Sequence, residues 1–156
     1  MTCIVALGIC LPVFAAEPAV AATTTLTNPK FVRDNGNDLA LGMGTGVIKS
    51  DACTIDEYGN ITVKLKRLGL DSSSNGWFSG TITEARFIDS TGAVVDENLV
   101  FNNELTIDTS QISTMPTGKK GIHLQLKFDM KPLPPGMNEF MNAYFTCDDI
   151  QSAEAN

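Results

Sequence analysis

At 156 residues the chain has room for one domain with a real core and too few residues for two. Asp and Glu number 18 against 11 Lys and Arg, with no basic cluster, so phosphate backbones and anionic lipid are excluded as expected partners. No nucleic acid is therefore expected.

The chain opens on an apolar run, Cys3 to Ala16; Val13-Phe14-Ala15 at its end and Ala19-Val20-Ala21 beyond it offer small side chains where signal peptidase reads them. Residues 1–22 are predicted to be a cleaved signal peptide, although Met1-Thr2-Cys3 lacks the Lys or Arg of an ordinary n-region. Pro12, Glu17 and Pro18 interrupt the run well short of the roughly 18 apolar residues of a membrane span. The mature chain is thus expected to be secreted or held at a cell surface, with no membrane insertion. Once Glu17 leaves with the leader, 17 acidic residues face 11 basic ones, a net charge of about −6.

Period-two alternation dominates the rest. In chain order the predicted strands are Val47–Ile55, Ile61–Leu65, Thr81–Ile88, Val94–Phe101, Leu105–Ile107, Ile122–Met130 and Asn142–Cys147. Tyr58-Gly59-Asn60 closes a predicted hairpin. Ser72–Gly76, Ser90-Thr91-Gly92, Asn102-Asn103 and Pro116-Thr117-Gly118 supply further turns, and Pro132, Pro134, Pro135 and Gly136 a stiff loop. Only Leu39–Met43 hints at a helical turn, which Gly42, Gly44 and Gly46 keep short. Residues from Asp148 read as a frayed polar terminus, with 151–156 as a disordered tail. The fold predicted is all-β: an immunoglobulin-like antiparallel β-sandwich with a short helical lip.

Cys3 and Cys10 leave with the leader, and Cys53 and Cys147 remain in an oxidising compartment. They are expected to form a structural disulfide tying an early strand to the last. Chain entropy assigns such a long closure about 4.7 kcal/mol at most.

No enzyme is predicted. His123 is the only histidine and alternates outward on its strand, with no nucleophile elbow or Cys/His pairing nearby. Asp56-Glu57 and Asp148-Asp149 lack the spaced oxygens of a calcium loop. The methionines carry more interest. Met43 lies in the Gly-rich loop, while Met137 and Met141 flank Phe140 at the entry to the last strand. Thioether sulfur suits an apolar pocket and can ligate haem iron, and it equally suits a core.

From Leu39 onward the chain resembles a NEAT domain, the haem-binding module of Gram-positive surface and secreted proteins. The resemblance rests on Met43-Gly44-Thr45-Gly46, Asp51–Ile55, the turn Glu57–Asn60, Ile61–Leu65, Gly80–Phe87, Ile122–Met130 and Met141–Asp148. It implies a domain over 29–150 with haem as cofactor, held between the lip and the last hairpin. Met43 would press on the ring, Met141 would ligate the iron, and Met137 and Phe140 would line the site. The chain departs from the family in two places: Gly42 stands where a Ser usually precedes the lip Met, and Tyr-x-x-x-Tyr becomes Met137-x-x-x-Met141. A neutral thioether in place of phenolate favours ferrous iron. Tyr144 lies an odd number of residues from Met141 and so is predicted on the opposite face.

Two functions are therefore expected to compete. One is capture of haem or a similar small flat apolar ligand. The other is an immunoglobulin-like surface or adhesion module that contacts a host or surface protein, or a glycan, through sheet edges or loops.

Overall fold

The structure, a computed structural model, describes residues 22–39, 42–69, 79–131 and 139–152. The predicted signal peptide, Met137 and the stiff proline loop lie outside them. Twelve strands and two short helices occur among the described residues. They are β1 (Thr23–Thr25), β2 (Lys30–Val32), α1 (Met43–Gly46), β3 (Ile48–Asp56), β4 (Asn60–Leu65), β5 (Leu68–Gly69) and β6 (Ser79–Ile88). After them come β7 (Val94–Asp96), β8 (Val100–Phe101), β9 (Glu104–Asp108), β10 (Ile112–Thr114), β11 (Lys120–Lys131), β12 (Met141–Thr146) and α2 (Asp148–Ser152).

Two antiparallel sheets form the predicted all-β sandwich. One runs β8-β9-β4-β3-β1, and the other β2-β12-β11-β6-β5, with β10 also pairing β11 and β7 pairing β6. The cause is alternation. Ile122, Leu124, Leu126, Phe128 and Met130 of β11 are all buried, while the residues between them remain half-exposed. From the facing sheet Ile61, Val63, Leu105 and Ile107 are buried in the same core. Phe31 and Phe145 meet edge to face, ring centroids 5.6 Å apart, and tie β2 to β12.

Local chemistry fixes the turns. Between β3 and β4, Asp56 Oδ1 accepts from the backbone N–H groups of Tyr58 and Asn60, both at 2.9 Å, and Gly59 takes φ of 84°. These bonds hold the Asp56 carboxyl below its usual range, Asn60 contributing most. Between β8 and β9, Asn102 and Asn103 both adopt left-handed φ, 51° and 61°, as a two-residue type I′ hairpin requires.

The helical lip falls at Met43–Gly46, slightly later than the Leu39–Met43 predicted. It packs by close approach: a Cβ on Gly44 would sit 2.0 Å from the Phe31 carbonyl oxygen and 2.1 Å from Asp38 Oδ1. Asp38 Oδ1 instead accepts the Gly44 N–H at 2.9 Å.

The terminus differs from the frayed tail expected. Asp148–Ser152 is helical, with Ile150 buried in the core. Asp149 accepts from Thr27 N–H and Asp148 from the Asn28 amide, which pins α2 to the link between β1 and β2. Gln151 accepts from Lys120 N–H and donates to Lys120 O, so only 153–156 of the predicted tail lie outside the described residues.

The expected disulfide is absent. Cys53 and Cys147 are free, buried thiols, each 2% exposed. Cys147 follows the last strand just before α2, and burial pushes its thiol above the ordinary value. Cys53 sits on the inner face of β3 opposite Val63. The charge of Cys147 reaches Cys53, so the two thiols are neighbours in the core with no bond between them.

Two predictions follow from this packing. Gly44→Ala should lower unfolding free energy by about 2 kcal/mol, read as a shift in denaturant midpoint, because the Phe31 backbone carbonyl cannot swing aside as a side chain can. An unchanged midpoint would contradict the close approach. Burial, then the charges of Cys147 and Asp149, push the Cys53 thiol from 9.0 up to about 12. The native thiol thus keeps its proton longer than the unfolded one. Its contribution is whole below about pH 9 and is lost as pH rises toward about 12. Stability should accordingly fall between about pH 9 and about pH 11, and Cys53→Ala should flatten that fall.

Candidate binding groove

The alternation that fills the core also sets the outer face. On β11, His123, Gln125, Lys127 and Asp129 point away from the core residues between them. Register carries the pattern sideways: Tyr144 and Asn142 of β12 lie opposite His123 and Gln125, while Arg86 of β6 lies opposite Gln125.

The outer residues bond in a row. Arg86 Nε donates to Gln125 Oε1 at 2.9 Å, and Gln125 Nε2 donates to Asn142 Oδ1 at 3.2 Å. The Arg86 guanidinium stacks 3.8 Å over the Phe140 ring. Lys127 pairs with Glu84 at 3.4 Å. Next along the strands, His123 and Tyr144 stack with centroids 4.6 Å apart and planes 14° from parallel.

That stacked pair borders a gap in the sheet. On its second side β11 pairs with β6 as far as Leu124↔Phe87 and with β10 from Ile122↔Ile112, so the two strands part beside His123. The gap is the inner end of a groove of about 690 Å³. His123 and Tyr144 line it with Phe87 and Ile112, facing the hydroxyl and amide groups of Ser110, Gln111, Ser113 and Thr114.

The turn after β6 forms the far wall. Asp89 Oδ1 accepts from Thr91 N–H at 2.8 Å, Thr91 Oγ1 at 2.6 Å and Ala93 N–H at 3.0 Å. The Thr91 hydroxyl, foremost among these, holds the Asp89 carboxyl below its usual range. Partial burial, and then the charge of Asp34, push the Tyr144 phenol above its ordinary value. At neutral pH it is therefore a hydroxyl, able both to donate and to accept.

The methionine cluster predicted from the sequence is distributed differently. Met43 is 4% exposed and belongs to the core, its methyl and sulfur directed at Gly80, the residue that pairs with Met130. Gly80 has no side chain, which is what gives the thioether its room. Met141 is half-buried opposite Leu126 and packs against the same core. Met130 and Leu126 are four residues apart on β11, roughly 13 Å of strand, so the two methionines meet the core at separate levels. Neither lines the grooves described for this surface. Phe140 lies outward beneath Arg86, and Met137 is outside the described residues.

Tyr144 takes the face opposite Met141, as its odd spacing predicts. His123 is outward as predicted, but its stacking on Tyr144 was not foreseen. The signal was the register of β11 against β12, since pairing Gln125 with Asn142 brings His123 against Tyr144. Comparison of the chain with protein-family models, curated proteins and solved structures gives no match.

Proposed function

We propose that the protein is an exported, non-enzymatic binding module that holds a glycan in the groove beside His123 and Tyr144. The observation that carries this reading is the stacked pair at the edge of a hydroxyl- and amide-rich groove. A sugar ring has C–H faces and a rim of hydroxyls. It therefore asks for aromatic surface next to small neutral donors and acceptors. Ser110, Gln111, Ser113 and Thr114 are such groups, and about 690 Å³ lies within the range of small-molecule sites. Export draws its support from the apolar leader and its small-residue cleavage positions.

Capture of haem has weaker support. The lip methionine is spent on the core, and Met141 faces inward with Ala143 and Phe145. A planar ring wedged between Met43 and Met141 would have to displace Met130 or Leu126, each fully or nearly fully buried.

The test is a glycan array probed with the purified protein and with Tyr144→Ala, their melting curves compared. A defined subset of glycans should bind wild type, and Tyr144→Ala should lose at least about tenfold in affinity, some 1.4 kcal/mol. Hemin added in either oxidation state should leave no protein-dependent Soret shift. Failure of every glycan, or equal binding by Tyr144→Ala, would overturn the reading. A Soret band abolished by Met141→Ala would restore haem in its place.

A further inference from the structure

The two sheets end side by side at one corner. Among the described residues β7 pairs only with β6, and β8 only with β9, so each has one unpartnered edge. The connection between them crosses from sheet to sheet through Leu99. Its N–H donates to Ala85 O of β6 at 3.0 Å, and its carbonyl accepts Thr106 N–H of β9 at 3.1 Å. A groove of about 540 Å³ runs along this crossing, with Val95, Leu99, Phe101 and Ile107 as apolar lining.

The corner exposes apolar surface in an unusual amount. Val94, Val95 and Phe101 are three of the four large hydrophobic residues exposed among those described, Val95 at 57% and Phe101 at 76%. Phe101 stands immediately before the Asn102-Asn103 type I′ turn and pairs with Glu104, so a stiff hairpin holds its ring in water. A preorganised aromatic side chain of this kind gives up little entropy when a partner covers it.

Charge identifies the partner. Asp96, Glu97 and Asp108 line the groove, and no Lys or Arg does. Asp96 and Glu97 make no ion pair among the described residues. A second copy docked through the same patch would set these carboxylates against their own equivalents, in a chain already at −7.

We propose that this corner receives an extended segment of another protein in which apolar residues alternate with Lys or Arg. The segment adds as a strand to the free edge of β7, its apolar side chains against Val95 and Phe101 and its cations against Asp96 and Glu97. Period-two alternation in the incoming strand matches a surface with an apolar floor and an acidic rim. The corner shares Phe87 and Gln111 with the glycan groove but not His123 or Tyr144.

Fluorescence anisotropy of a labelled, capped ten-residue peptide of alternating valine and lysine tests the proposal. Wild type should bind it below about 1 mM, and the same peptide with glutamate for lysine should not bind. Phe101→Ser should weaken binding at least about tenfold, and Asp96→Asn with Glu97→Gln should flatten its salt dependence. Tyr144→Ala should bind the peptide as wild type does, which separates this surface from the glycan groove. Absence of binding, or equal binding by a folded Phe101→Ser variant, would overturn the proposal. So would a concentration-dependent dimer that Phe101→Ser disperses, since the occupant would then be a second copy.

Discussion

Cross-strand packing along Lys120–Lys131 carries the rest of the molecule. Five inward side chains of this strand, from Ile122 to Met130, are buried between the sheets. A Leu or Phe buried in this way contributes about 1.5–3 kcal/mol each. A slip of one residue would exchange all five for His123, Gln125, Lys127, Asp129 and Lys131, which no apolar core accepts. That penalty fixes the register, and the register fixes the neighbours: β12 on one side, β6 and then β10 on the other.

The outer face inherits its chemistry from this constraint. Because Ile122 and Leu124 must point in, His123 must point out, and pairing with β12 sets Tyr144 against it. The groove beside them exists because one long strand is flanked by two shorter ones that part at His123. The corner at β7 and β8 arises by a related route. Leu99 bonds backbone groups of both sheets, which obliges the chain to leave one and join the other within three residues. Strands cut short in this way keep open edges and exposed side chains.

What the sequence disclosed follows the same physics. Strands β3, β4, β6, β9, β11 and β12 were legible because each is long enough to alternate, and their observed ends fall within two residues of those predicted. Thr23–Thr25 and Lys30–Val32 are three residues long, too short to show a period, and were missed. Val94–Phe101 read as one strand because Leu99 continues its apolar pattern, whereas the structure breaks it at Glu97–Leu99. The terminus was misjudged because α2 is polar apart from Ile150, and one buried side chain leaves no period.

The site was only half legible. Parity along β12 placed Tyr144 opposite to Met141, but parity cannot say which of the two lies inside. Met43 gave no sign of its role, because that depends on Gly80, a glycine on a distant strand whose missing side chain the thioether fills. The cysteine pair misled for another reason: two buried thiols within electrostatic reach of each other need not be bonded.

His123 is the only histidine in the chain, so its ring protons are a unique reporter inside the groove. The most direct measurement is the proton spectrum of that imidazole during titration with a glycan selected on the array. If the outer face of β11 is the binding surface, the His123 ring signals shift saturably while the methyl resonance of Met43, buried on the other side of the sheet, stays fixed. A saturable shift of Met43 with His123 unmoved would contradict the account.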